Sequence, residues 1–289
     1  MKTNPSTILN WTAALAFALP GIVSAQNHYP AGAEGIKAAT LPPPGLYLRD
    51  YNFGYWASDF PDGPPDFDVR AYVNAPRVIW MTDLTICGAN YGMDVIVPFG
   101  FSRVSVGGAA DNSCGLGDIQ FEPVLLSWHR ARWDFALAYS IWAPTGDSED
   151  GMGKGFWSHM LTAGATWYPD KEKTWSASVL SRYELHTESQ DIDVTPGDTF
   201  TLEFGLAKTV KPGLDLGLVG YWQQQVNDDS APGFSADPTV HDRVLALGPE
   251  VAGLCPKLGV LFSLRYLREF SARDRPEGNT ITLTLTRRF

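Results

Sequence analysis

The sequence is poor in cysteine, in basic residues and in long apolar runs. Its three cysteines, Cys87, Cys114 and Cys255, include no CxxC pair and form no disulfide framework. Beyond the amino terminus no stretch of about 18 apolar residues occurs, which argues against membrane-spanning helices. Lysine and arginine total 22 against 32 aspartates and glutamates, for a net charge of −10. This acidic balance argues against nucleic acid as a partner.

Clustered metal ligands and catalytic constellations are also missing along the chain. The sequence has five histidines, at His28, His129, His159, His186 and His241. They lie on unrelated segments, so no metal site and no cofactor are predicted. Ser158 and His159 would point to opposite faces of a strand, and no nucleophile is evident beside His186 and Glu184, so an enzyme is not predicted. The acidic loop between residues 59 and 68 lacks a ligand spacing and is interpreted as solvated rather than as a calcium site.

What the chain does contain is a series of strand-like runs. Hydrophobic residues make up 44% and aromatic residues 12% of the chain, yet the mean hydropathy is only −0.12. Such a middling average is expected when each strand presents one face to lipid and the other to water. The predicted strands are residues 46–56, 77–86, 91–106, 116–128, 133–142, 156–168, 174–186, 199–210, 214–226, 243–254, 258–270 and 278–289.

The connections between these runs are alternately long and short. An even strand count, with the short turns on the side of both termini, is typical of a bacterial outer-membrane barrel. We therefore predict an all-β fold for residues 46–289: an antiparallel up-and-down transmembrane β-barrel of about 12 strands with long extracellular loops and short periplasmic turns. The first long loop is predicted to extend to about Ala75, and residues 107–115 are predicted to form the second.

This topology places each connection on one side of the membrane. Loops with Asp62, Ser148 and Asp229 are predicted outside the cell, and turns with Cys87, Lys171 and Pro256 in the periplasm. Two cysteines then lie in separate turns and the third at the opposite rim, farther apart than the roughly 7 Å that a disulfide can bridge. No intramolecular disulfide is predicted.

The first 25 residues have the pattern of an export signal. Lys2 gives a positive start, residues 11–19 an apolar core, and residues 23–25 a small-residue cleavage site, so the mature chain is predicted to begin at Gln26. Residues 26–45 are rich in glycine and alanine and end in three prolines, so they do not form a strand. We interpret them either as a periplasmic tail or as a peptide that plugs the barrel mouth.

Alternation within the strands assigns their two faces. In residues 214–226, Leu216, Leu218 and Trp222 share the face predicted to contact lipid. Gln223 is predicted on the lumen face, where an arginine should enter the lumen and cost little. Charged groups at membrane depth are tolerated only when they face a wet lumen or pair with one another. The lumen and permeation candidates are Asp118, Glu122, Arg182, Glu184, Glu203, Asp215, Tyr221, Gln223, Gln225 and Arg265.

Four of these candidates suggest a way to close the lumen. Glu122, Arg182, Glu203 and Arg265 carry opposite charges and are predicted to face inward. They either form ion pairs across the middle of a narrow barrel or are separately hydrated parts of its wall.

Four segments together resemble a known family. They are HYPAGAEGIKAATLPPPGLYLRDYNF (28–53), GLGDIQFEPVLLSW (115–128), GKGFWSHMLTAGATWYP (153–169) and TPGDTFTLEFGLAK (195–208). With them the chain resembles the meta-pathway phenol-degradation (SphA-like) family of outer-membrane transporters over essentially its whole mature length. The resemblance implies a closed barrel for passive uptake of small aromatic or otherwise hydrophobic molecules. Arg287 departs from the apolar residue usual at that position in barrel-assembly signals, so assembly would rest more on Phe289, Leu285 and Leu283.

These observations predict a bacterial outer-membrane channel for passive uptake of small hydrophobic or aromatic compounds. The predicted partners are outer-membrane lipid, the solute, and the barrel-assembly machinery, which would bind through Phe289. The alternative is a non-transporting structural or adhesive barrel whose long loops bind a partner. A measurement of solute flux separates the two.

Overall fold

A computed structural model describes residues 27–61, 63–148, 152–230 and 240–289. Within these ranges the chain forms fourteen antiparallel strands, and no helix has the length and apolarity needed to span a membrane. The predicted signal peptide, Gln26 and Asp62 lie outside the described residues. The strands are β1 (Gly45–Asp59), β2 (Asp68–Ile86), β3 (Ala89–Ile96), β4 (Phe99–Val106), β5 (Ala109–Leu116), β6 (Ile119–His129), β7 (Trp133–Ala143), β8 (Ser158–Trp167), β9 (Trp175–His186), β10 (Thr199–Lys211), β11 (Leu214–Gln225), β12 (Arg243–Cys255), β13 (Val260–Arg273) and β14 (Glu277–Arg288).

Twelve of these strands close a barrel. The sheet runs β1-β2-β3-β6 and then through β7 to β14 in chain order, and β14 pairs with β1. At the seam Tyr51 lies opposite Thr284 of β14 on one side and opposite Ala75 of β2 on the other. Closure leaves none of these twelve strands at an edge, which is the condition for a sheet to span a membrane. The prediction of an antiparallel up-and-down barrel is confirmed.

The remaining strands, β4 and β5, form a hairpin that lengthens the barrel wall. β2 pairs with β3 through Arg77 to Ile86 and with β4 through Asp68 to Asn74. β3 and β4 therefore pair with successive parts of the long strand β2, and only residues 97 and 98 separate them in the chain. The hairpin turns at Gly107 and Gly108, which have φ angles of 58° and 85°. Glycine adopts this left-handed conformation without steric cost.

The hairpin corrects three sequence predictions. The first outer loop ends before Asp68 and not at Ala75, the run 91–106 is two strands, and most of the loop predicted at 107–115 is β5. β2 tolerates Pro76 because this residue lies between the part of β2 that pairs with β4 and the part that pairs with β3. The carbonyl of Pro76 accepts a hydrogen bond of 3.1 Å from the backbone N–H of Val97. The small polar residues of β5 have no alternating pattern that would indicate a strand.

The two faces of the strands follow the predicted alternation. On β11 the side chains of Leu216 and Leu218 are 46% and 51% exposed, whereas Tyr221 and Gln223 are buried. On β14 Ile281, Leu283 and Leu285 point outward, and the threonines at 280, 282 and 284 are buried inside. The barrel therefore has an apolar outer surface and a polar interior, as an outer-membrane barrel requires.

The barrel has two distinct ends. We call the end where β1 begins, with the five short turns, the turn end, and the opposite end, where β1 finishes, the loop end. We expect Ser148→Cys, at the loop end, to react with a membrane-impermeant maleimide in intact cells. Lys171→Cys, in a turn between β8 and β9, should react only after the outer membrane is permeabilised. Both variants need a background without Cys87, Cys114 and Cys255, which are free thiols. Strong labelling of position 171 in intact cells would mean that the orientation is inverted.

Candidate functional site

The lumen is occupied by the segment that precedes β1, residues 27–44. Near the loop end its His28 Nε2 lies 2.9 Å from Asp118 Oδ2. Nine residues later, near the turn end, Lys37 Nζ donates a hydrogen bond of 2.6 Å to Asp215 Oδ2, at the start of β11. The segment therefore follows the barrel axis and contacts the wall along its length.

At the loop end a cluster that we call the outer anchor holds the start of this segment; it consists of His28, Asp118, Ser158, Glu184 and His186. Glu184 accepts the backbone N–H of His28 at 2.7 Å. Ser158 Oγ lies 2.7 Å from Nδ1 of His28 and 2.7 Å from Nδ1 of His186. A hydroxyl therefore does lie beside His186, contrary to the interpretation of the sequence. Strand pairing places it there, since Ser158 on β8 is directly opposite His186 on β9.

Halfway along the segment, Glu34 is held by what we call the middle clamp, formed by Glu34, Arg49, Tyr51 and Arg77. Glu34 accepts hydrogen bonds of 2.6 Å from Arg49 Nη2 and 2.6 Å from the Tyr51 hydroxyl, and Arg77 Nη1 lies 3.7 Å away. Arg77 Nη2 also donates to the predicted candidate Glu122 at 3.0 Å. Glu34 and Arg77 are nearly enclosed and Arg49 is a quarter exposed, so the charge of Glu34 depends on its partners.

Of the two alternatives left open for the four charged candidates, ion pairs are present, but they run along the wall and not across the lumen. Arg182 pairs with Glu203 on the adjacent strand, and Arg265 donates to Glu250 at 2.9 Å, also on an adjacent strand. The N-terminal segment lies between these pairs and uses them. Glu203 accepts the backbone N–H of Glu34 at 3.0 Å, and Arg265 donates to a backbone carbonyl of the same segment. The charged side chains do not meet across the lumen because the N-terminal segment fills the space between them.

Three other predicted candidates are buried polar groups with protein partners. The Tyr221 hydroxyl donates to Glu269 at 2.5 Å. Gln223 accepts a hydrogen bond of 2.7 Å from Arg275, and Gln225 donates to the loop that follows β11. These three side chains therefore have hydrogen-bond partners within the protein.

A cavity of about 300 Å³ remains between the start of the N-terminal segment and the wall formed by β1, β2 and β4. Its shape follows from register. Three aromatic residues of β1 each lie opposite a small residue of β2: Tyr51 with Ala75, Phe53 with Val73, and Tyr55 with Ala71. The small partners leave space beside the rings. An apolar cavity of roughly 150 Å³ is enough to bind benzene, so this one is large enough for one aromatic ring with substituents.

The cavity includes some of the predicted residues and excludes others. Those that line it are Asp118, Glu122, Arg182, Tyr221 and Gln223; those that do not are Glu184, Glu203, Asp215, Gln225 and Arg265. Sequence reasoning missed the aromatic row of β1, although the signal is present as aromatic residues at alternate positions 51, 53 and 55. It also missed the middle clamp, because Glu34 and Arg77 lie far apart in the sequence and no motif indicates that they are in contact.

The loop between β7 and β8 contributes a cation to the cavity. Lys154 lines it, and its backbone N–H donates to Asp118 at 2.7 Å. Burial lowers the pKa of Lys154 to about 8, against the attraction of Asp118 and Glu184, which raises it. Its ammonium therefore loses its proton more easily than that of a surface lysine.

The closed barrel, its apolar outer face and its polar, peptide-filled lumen define the protein as an outer-membrane β-barrel. Among solved structures, the fold is similar to the COG4313 outer membrane channel from Pseudomonas putida F1, with a TM-score of 0.76 and 14% identity over 91% of this chain and 100% of that one. It is also similar to the beta domain of the Bordetella autotransporter Brka, with a TM-score of 0.58 and 12% identity over 86% and 100%.

Residues 54–285 match the family described as "Putative MetA-pathway of phenol degradation". The chain belongs to this family, as the resemblance in its sequence predicted. No curated protein matches it.

Proposed function

We propose that the protein is a channel for passive entry of small aromatic or otherwise hydrophobic solutes through the outer membrane. The observation that carries the proposal is the cavity, in which the rings of Tyr51, Phe53 and Tyr55 face small side chains. Such a surface suits an apolar ring, and the charged residues at its ends suit a single polar substituent. The link of the family to phenol degradation supports an aromatic solute, and the similarity of the fold to an outer membrane channel from Pseudomonas putida F1 is consistent with a channel.

Residues 26–45 act in this proposal as a plug and not as a periplasmic tail. The outer anchor and the middle clamp support that role, because they fix the described part of the segment by buried hydrogen bonds. A plug held by polar contacts would block the passage of water and ions. The cavity beside it would remain open to a small apolar solute. The lumen candidates Asp118, Glu122, Arg182, Tyr221 and Gln223 then border the path of the solute.

A catalytic role is not part of the proposal. Ser158 resembles a nucleophile beside His28 and His186, but its side chain is fully buried. A substrate carbonyl would have no approach to its hydroxyl, and nucleophilic catalysis requires that approach. The pair is better explained as part of the outer anchor.

Ala75→Phe should slow solute entry severalfold, because it places a ring in the cavity beside Tyr51. The measurement is the initial uptake rate of labelled phenol by cells whose lipopolysaccharide limits its entry, normalised to the amount of folded barrel. Passive entry requires that the rate follow the concentration gradient and persist in de-energised cells. The matched control is Ala163→Phe, which adds the same ring at an exposed position on β8.

The outcomes separate the two candidate functions. Reduced uptake in Ala75→Phe alone supports a channel through the cavity. If expression of the unaltered protein does not raise uptake at all, the channel is refuted, and a non-transporting structural or adhesive barrel becomes the better explanation. Equal uptake by all three proteins above the background would place the path of the solute elsewhere.

A further inference from the structure

The outer anchor brings a histidine nitrogen and a carboxylate oxygen together inside the enclosed lumen. His28 Nε2 lies 2.9 Å from the carboxylate of Asp118, which can only accept a hydrogen bond, so Nε2 carries a proton. In a neutral imidazole Nδ1 is then an acceptor, to which the Ser158 hydroxyl 2.7 Å away can donate. Yet Nδ1 faces Glu184 Oε1 at 3.3 Å, and that oxygen is also an acceptor. A cation between the two atoms removes the repulsion.

A second imidazole faces the same point. His186 Nδ1 lies 3.8 Å from Glu184 Oε1, and the three ligand atoms are all within 4.8 Å of one another. The side chains of His28, Glu184 and His186 are almost completely buried. Two imidazoles and one carboxylate are a donor set that proteins use for zinc. The ligand atoms around one tetrahedral zinc ion are roughly 3.3 Å apart, from bonds of about 2.0–2.2 Å. His28 Nδ1 and Glu184 Oε1 already have this spacing, and His186 Nδ1 would have to move closer to them.

Asp118 supplies the feature that distinguishes this cluster from an accidental contact. A histidine that binds a metal generally donates its other ring N–H to a carboxylate or carbonyl, which fixes the tautomer and the direction of the ring. Asp118 does this for His28 and is itself fixed by the backbone N–H groups of Gly146 at 2.9 Å and Lys154 at 2.7 Å. Glu184 is oriented in the same way by the backbone N–H groups of His28 and Tyr29.

We propose that the outer anchor is a binding site for a divalent transition-metal ion such as zinc, with His28 Nδ1, His186 Nδ1 and Glu184 Oε1 as its ligands. The fourth ligand is either a water molecule or Ser158 Oγ, which lies next to both imidazoles. His28 also lines the cavity, which gives the ion a route to the site. One ligand belongs to the N-terminal segment and two belong to β9, so the ion ties the segment to the wall.

The test is titration of Zn²⁺ into the full-length folded barrel after treatment with a chelator, followed by calorimetry. We expect one equivalent to bind, no detectable binding in His186→Gln, and binding weakened by about 10–100-fold in Asp118→Asn. His159→Gln is the matched control, since that histidine contacts the Tyr139 hydroxyl on the neighbouring strand and lies outside the anchor. Mg²⁺ should not compete, because it prefers oxygen ligands.

Two further measurements keep the result independent of folding defects. Heat-modifiable migration on gels identifies the folded fraction of each variant, and Zn²⁺ should raise the transition temperature of the unaltered protein and of His159→Gln only. Co²⁺ bound to the unaltered protein should give the visible absorption of a four-coordinate site. The proposal is overturned if the unaltered protein binds no zinc, if folded His186→Gln binds it equally well, or if bound Co²⁺ has the spectrum of a six-coordinate ion.

Discussion

Leu218→Arg is expected to block assembly of the barrel. Leu218 is half exposed on the outer face of β11, about midway between the ring of Trp222 and the turn end of the strand. An arginine on the lipid face near the bilayer midplane costs about 2–4 kcal/mol. Leu216→Arg, one step closer to the turn end, should cost less, because the penalty falls toward the interface.

The measurement is the fraction of folded barrel, read from heat-modifiable migration on gels and from unfolding in denaturant. Leu258→Arg is the matched control: it makes the same substitution in the turn between β12 and β13, where the leucine is 66% exposed. We expect this control to fold like the unaltered protein. If Leu218→Arg and Leu258→Arg fold equally well, the outer face of β11 does not contact lipid.

The barrel can be predicted from the sequence because the alternation of apolar and polar residues within each strand shows which side chains face lipid and which face the lumen. Alternation in β11 and β14 depends only on neighbouring residues, and it correctly separates Leu218 from Tyr221 and Leu283 from Thr284. The hairpin β4–β5 escapes prediction for the opposite reason. β5 is mostly exposed along its length, so it has no buried face that would require alternating apolar residues. Its small polar side chains therefore give no periodic signal.

The candidate site is less predictable because its contacts are non-local. Glu184 accepts a hydrogen bond from a residue 156 positions away, and no local pattern reports that distance. The predicted polar residues lie on the inner side of the strands, but the sequence pattern does not show that the N-terminal segment and neighbouring strands supply their partners. Gln223 illustrates the consequence. Since it is 1% exposed and bonded to Arg275, an arginine at position 223 would bring two guanidinium groups together, so the tolerance expected from a wet lumen does not follow.

Glu34→Gln should release the N-terminal segment and raise the ion conductance of the barrel. Glu34 is the acceptor that Arg49 and Tyr51 share, and Arg77 lies beside it. Removing one partner of a fully buried ion pair costs roughly 3–5 kcal/mol. Arg77 keeps Glu122 as a partner and the Arg49 side chain is 25% exposed, so we expect a cost near the lower end of this range or below it. Since 1.4 kcal/mol is a factor of ten, the docked state should weaken by up to about a hundredfold relative to the undocked state.

Single-channel recording in planar bilayers measures this change. Glu172→Gln is the matched control, since it removes the same charge from an exposed turn residue. Both variants must first be shown to be folded by heat-modifiable migration, because the barrel wall keeps all its strand pairs and should persist when the segment leaves. Under these conditions we expect frequent large openings in Glu34→Gln and the closed behaviour of the unaltered protein in Glu172→Gln. If folded Glu34→Gln stays as closed as the control, the middle clamp does not hold the segment, and the contacts of Glu203 and Arg265 with its backbone must be sufficient to keep it in place.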